Sequence, residues 1–179
     1  MAEENYGVVK LDGDEYLRLA KIADSFVQKG KVEEKPNLII IMGGIASGKS
    51  TVRKQSYDDG YALIDFGAIY LTLTENRKNQ SEKDAVYCRI IGEMILTTAI
   101  SQKRNVVIEI IGDEAEPLDT IIKGMERIGY KPSIMHIFAE IPQAYERHIK
   151  QVNDGRDDIS SADTQEATMQ TFIDYLNKN

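Results

Sequence analysis

Leu38-Ile39-Ile40-Ile41-Met42-Gly43-Gly44-Ile45-Ala46-Ser47-Gly48-Lys49-Ser50 is the stretch on which the fold turns. Its first five residues form a continuous apolar run, the pattern of a strand buried on both faces of a parallel sheet. Its last eight fit G-x-x-x-x-G-K-[ST] without a mismatch. At ordinary residue frequencies such a match arises by chance in about half a per cent of chains this long. The strand running in and the helical pattern running out sharpen it. Glycines let the backbone curl so that successive N–H groups point at phosphate oxygens, and the following helix adds its positive end. Lys49 is expected to bridge the β- and γ-phosphates and Ser50 to ligate Mg²⁺. Gly43, Gly44, Ile45, Ala46, Ser47, Gly48, Lys49, Ser50 and Thr51 form the expected nucleotide site, with ATP and Mg²⁺ as cofactors.

Outward from this stretch, strand signals recur at residues 61–64, 105–111 and 133–138. Helical patterns fill residues 50–57, 83–101, 114–128, 142–152 and 162–176. Strand and helix in alternation predict an α/β fold, and with the phosphate loop a three-layer P-loop kinase-like architecture. The sheet is expected to be small and mostly parallel, with about four to five strands. Residues 6–11 read as a short edge strand or an arm. A helix follows, capped by Asp12 or Asp14, striped by Leu17, Ala20, Ile22 and Phe26, and stopped near Gly30. Residues 31–37 are charged, contain Pro36 and read as a linker. The expected division is therefore an N-terminal arm and helix over 1–36, then a P-loop domain over 37–179 with a lid near 147–156.

Composition narrows the function classes. With 42% hydrophobic residues the chain has apolar material for a core, which excludes a disordered or collagen-like polymer. Acidic residues outnumber basic ones, 29 to 22, for a formal charge of -7. That balance makes nucleic acid a poor default partner. The longest apolar run, residues 38–42, falls far short of the roughly 18 residues of a membrane span. The polar, acidic start lacks the chemistry of a signal peptide. Cys88 stands alone, so neither an internal disulfide nor a thiolate metal site is available, and a buried structural thiol in a helix is the expectation. A reducing cytoplasm is the expected compartment, a host cell's if the source is a phage.

Several residues are candidates for the chemistry. Asp65 ends the second strand, where ligands gather in open α/β sheets, and could accept the proton of an acceptor hydroxyl. The same carboxylate could instead cap the turn after the strand. Glu109, inside an apolar strand, is costly unless it meets a cation or ordered water, and beside the phosphate loop it could hold a water on the Mg²⁺ shell. Asp113 would serve if that strand runs longer. Arg147 and Arg156 bracket a helix end and a turn, as suits a lid closing on phosphate oxygens. His136 and His148 have no partner spacing and are read as neither ligands nor bases.

The phosphate loop, Ile64-Asp65, residues 105–109, and residues 121–138 with a helix ending at Gly129-Tyr130 resemble the zeta toxin family of P-loop kinases over roughly residues 37–152. Members of that family transfer the ATP γ-phosphate to a sugar nucleotide, UDP-N-acetylglucosamine in the best understood cases, and are held in check by an antitoxin. The resemblance implies that Lys49 and Ser50 hold nucleotide and metal, that Glu109 lies in the site, and that lid arginines map to Arg147 and Arg156. It departs where the family's later aspartate after the second strand is Gly67. It departs again where the Glu-Gly-Thr turn reads Glu109-Ile110-Ile111. Three readings follow: a kinase acting on a small-molecule hydroxyl with an antitoxin-like partner, a degenerate nucleotide-binding module, and an NTPase without an acceptor.

Overall fold

The computed structural model describes residues 11–75, 81–112, 115–153 and 161–178. Among the described residues four parallel strands make the sheet: β1 (Asn37–Met42), β2 (Ala62–Ile64), β3 (Val106–Ile110) and β4 (Lys131–His136), in the order β2-β3-β1-β4. Leu38 to Met42 are all buried, because β1 is flanked on both sides and covered on both faces. Ile40 pairs with Ile108 on one side and Ile134 on the other, so three β-branched residues cross the sheet at one level. The chain leaves β1, passes over the position of β3 to reach β2, and later crosses from β3 over β1 to β4. The strand order therefore reverses around β1, whose carboxyl end is the place where such sheets bind ligands.

Among the described residues seven helices accompany the strands: α1 (Gly13–Val27), α2 (Lys49–Ser56), α3 (Phe66–Thr74), α4 (Glu82–Ser101), α5 (Ala115–Arg127), α6 (Ile141–Asn153) and α7 (Ser161–Lys178). Helices α1, α3 and α4 pack together beside β2, whereas α5 packs on β4 and α7, and α6 on α7. The buried face of α4, Tyr87, Cys88, Ile91, Ile95 and Ala99, follows the three-and-four spacing of an amphipathic helix. A capping box between Ser81 and Asp84 starts that helix. No helix among the described residues is long and apolar enough to cross a membrane.

The structure departs from the sequence reading in several places. The buried face of α1 is Leu19, Ala23, Phe26 and Val27, while Leu17 is exposed and Ile22 half-buried, both lining a groove against Thr72 and Leu73 of α3. Of the two expected caps Asp12 takes the role, accepting from the Glu15 amide at 2.8 Å. Helix α3 lay hidden because its sequence, Phe66 to Thr74, is apolar nearly all round and carries Gly67 and two threonines, which blur its period. Strand β4 begins two residues early, since Pro132 sits on an edge strand where its missing N–H costs nothing. The expected arm at residues 6–10 lies outside the described residues.

Residues 31–36 are tied down rather than loose. Lys31 N donates to Gly60 O, Asn105 N to Lys31 O, and Glu33 N to Lys103 O, each at 2.9 Å. Gly30 is present for close approach, not to stop the helix, which ends at Val27. A Cβ there would lie 2.8 Å from Ala62 N and 3.0 Å from Asn105 O, both backbone atoms that cannot step aside. Gly30→Ala should therefore cost about 1–3 kcal/mol of stability. The check is a fall in the urea midpoint at unchanged m-value.

Candidate active site

The phosphate loop leaves the carboxyl end of β1 and closes on the amino end of α2. Gly43 N donates to Ile111 O at 3.1 Å, and Ile137 N donates to Met42 O at 2.8 Å, so the ends of β3 and β4 clamp the loop's start. Gly43 has φ near 157°, and a Cβ there would lie 2.3 Å from Ile137 O. Gly48, the residue capping α2, has φ 108°, and Ala46 sits in the left-handed region at φ 59°. This curled path explains the first and last glycines of the motif. Ser47 Oγ is buried and has no hydrogen-bond partner among the described residues.

Three candidates from the sequence converge on this loop. Lys49 Nζ donates to Gly43 O at 2.7 Å and Gly44 O at 2.9 Å, folded over the loop's own carbonyls. Ser50 Oγ donates to Glu109 Oε2 at 2.7 Å. Arg147, exposed on α6, makes a long hydrogen bond of 3.4 Å from Nη1 to Ala46 O. Thr51 is exposed on α2, and its amide donates to Gly48 O at 3.0 Å. Asp113 and Arg156 lie outside the described residues.

Glu109 finds its cation in a residue that the sequence reading passed over. Arg53 Nε donates to Glu109 Oε1 at 2.6 Å, and Nη1 donates to Asp58 Oδ1 at 2.8 Å. The side chains of Arg53 and Glu109 are each only 5% exposed. Burial works against the guanidinium charge, but hydrogen bonds to Glu109 and Asp58, and the fields of Glu109 and Asp65, outweigh it and raise the Arg53 pKa. The available signal was spacing. Ser50 and Arg53 stand three apart on one helix and so share a face.

Asp65 sits just beyond Ile64, the partner of Ile108. Its Oδ1 accepts from Gly67 N at 2.9 Å and Ala68 N at 3.2 Å, capping α3. The capping role is thus present, and the charge of Asp65 adds to the upward shift of Arg53. His136 Nε2 lies 3.3 Å from Thr168 Oγ1, its ring stacks on Phe172 at 5.0 Å, and burial lowers its pKa, so it fastens α7 to β4. After Glu109 the turn glycine is Gly112, at φ 74°.

Among the described residues no group of three or more His, Cys, Asp or Glu side chains could hold a metal on its own. Mg²⁺ does not require one, because it keeps several waters and is commonly held by one or two carboxylates and the phosphates of its nucleotide. Ser50 Oγ and Glu109 supply hard oxygen donors side by side, so the residues fit that ion with a nucleotide present.

No protein-family model matches the sequence, and no curated protein does. Solved structures do match. A chain from the PezAT chromosomal toxin-antitoxin system of Streptococcus pneumoniae has TM-score 0.68 at 17% identity, covering 82% of this chain and 65% of that one. The native AvrRxo1-ORF1:ORF2 complex gives 0.72 at 12% identity, covering 93% and 60%. The same complex with ATP gives 0.65 at 14%, covering 92% and 57%. This chain spans less than two thirds of each of those chains. At such identities the likeness is one of fold, and at that level the zeta toxin resemblance drawn from the sequence holds.

Cys88 takes no part in the site. Burial in the face of α4 pushes its thiol up to about 11, with the Asp84 charge adding to the shift. The native chain should resist iodoacetamide at about pH 8, where the unfolded chain reacts. Mass spectrometry with and without denaturant reads the difference.

Proposed function

We propose that this chain is an ATP-dependent kinase that transfers the γ-phosphate to a hydroxyl of a small-molecule acceptor. The acceptor class implied by the zeta toxin resemblance is a sugar nucleotide. The observation that carries the reading is the Ser50–Glu109 contact, which joins the phosphate-loop helix to the strand beside β1. Arg147, on a separate helix, reaches the same loop. The neighbour solved with ATP supports nucleotide binding.

In this reading the loop amides and Lys49 take the phosphate oxygens, and Lys49 gives up its carbonyl contacts to do so. Mg²⁺, when bound, would supply charge neutralisation at the phosphates. Ser50 would hold the ion, and Glu109, beside it, would orient it. Asp65 accepts the proton as the acceptor oxygen bonds to the γ-phosphorus and the bond to the β-phosphate oxygen breaks, releasing ADP. Arg147 stabilises the charge that spreads over the transferring group. Because the matched structures are of a toxin-antitoxin system and a two-protein complex, we also propose an antitoxin-like protein partner. The proposed compartment is a cytoplasm, which supplies ATP and keeps Cys88 reduced.

One observation favours a second reading, a nucleotide-binding module without turnover. The Asp65 carboxylate is engaged in capping α3, and Gly67 stands where the resembled family has an aspartate. γ-Labelled ATP with a metabolite extract separates the two, since only a kinase yields a labelled product. Lys49→Ala should remove most ATP affinity, measured by calorimetry, with the fold intact. Asp65→Asn should lower transfer by about 10²–10⁴ with little change in ATP affinity. Arg147→Ala should lower kcat far more than it raises KM for ATP. A parent that binds ATP and labels nothing leaves the module reading standing.

A further inference from the structure

The proposed chemistry leaves one buried cation without a role. Arg53 lies one helical turn beyond Ser50 on α2, and both reach the same carboxylate. The two oxygens of Glu109 are divided between them: Oε1 accepts from Arg53 Nε at 2.6 Å, and Oε2 accepts from Ser50 Oγ at 2.7 Å. A second fork of the guanidinium is pinned by Asp58 at 2.8 Å, so the plane of Arg53 is fixed from two directions. A planar group held at both ends fixes the direction of the N–H it offers Glu109, which a freely rotating ammonium would not.

We propose that Arg53 is a positioning residue for the metal side of the nucleotide site. It holds Glu109 so that Oε2 stays turned toward Ser50 and the Mg²⁺ bound with ATP. The proposal rests on the Mg-ATP reading above. A purely structural alternative exists, in which the buried pair only cements α2 to β3. The two differ in what the metal feels. Cementing affects nucleotide binding with or without metal, whereas positioning affects the part of the affinity that metal adds.

The test measures binding of a non-hydrolysable ATP analogue by calorimetry, with EDTA and with Mg²⁺, and counts bound Mn²⁺ by electron paramagnetic resonance. In Arg53→Met the gain in nucleotide affinity on adding metal should fall by about tenfold or more, the usual effect of losing a group that orients a metal ligand. Affinity in EDTA, set by the loop and Lys49, should stay within about twofold of the parent, since its charge-assisted contacts remain. In the Glu109→Gln background Arg53→Met should add nothing further, because the group it orients is gone. Arg53→Lys keeps the charge but not the fork. It should show a smaller loss in the same direction, and it carries the test if Arg53→Met does not fold. Equal losses in EDTA and in Mg²⁺, or no loss in either, would overturn this proposal while leaving the kinase reading in place. Failure of the parent to bind the analogue would overturn the Mg-ATP reading and this inference with it.

Discussion

A carboxylate buried within a parallel strand is tolerable only where cations and hydroxyls meet it, and Glu109 imposes that condition on everything around it. The other residues of β3 are apolar, and all but Ile110 are buried. Little of Glu109 is exposed, and α2 brings a guanidinium and a hydroxyl to its height. The register does the rest: Glu109 pairs with Ile41, one residue before the end of β1, and Lys49 and Ser50 begin α2 just past the loop. Removing one member of such a buried pair typically costs about 3–5 kcal/mol, because the other charge stays behind. The Arg53–Glu109 pair is therefore what allows a carboxylate to stand within β3 at the height of the loop.

Gly43 is the second constraint, and it acts through the opposite neighbour of β1. With Ile137 O at 2.3 Å from any Cβ, only glycine allows the end of β4 to approach the loop. The loop is thus braced by β3 through Gly43 N and by β4 through Ile137 N. The edge strand beyond it can be half-exposed and contain a proline without loosening the site.

Much of this was legible in residue types. Strand β1 declares itself by a run of apolar residues too long to alternate, and the loop by glycines at fixed offsets. Strand β3 shows through Val106-Val107-Ile108 despite its glutamate. What escaped was structure whose signal is tertiary. The true face of α1 is chosen by what α4 and β2 offer it, so Leu17 faces a groove although it is as apolar as Leu19. Helix α3 has almost no period to read. At the site, Lys49, Ser50 and Glu109 follow from a motif and from one misplaced charge. Arg53 and Asp58 look like ordinary surface charges until the fold places a carboxylate beneath the first of them.

Asp65 is where sequence and structure meet most instructively, because of its two readings the structure shows the capping one. Both capping amides go to one oxygen, Oδ1. A cap of this kind holds the carboxyl plane still. The same arrangement accounts for Gly67. A Cβ at that position would stand 3.3 Å from Asp65 Oδ1, so a side chain there would press on the oxygen that accepts the two amides. The amide of Gly67 is itself one of the donors. An acidic residue at 67 would set a second negative charge against the first at close range and crowd the cap that orients it. Glycine at 67 and aspartate at 65 are therefore one solution, in which a single carboxylate at the end of β2 starts α3 through two backbone amides.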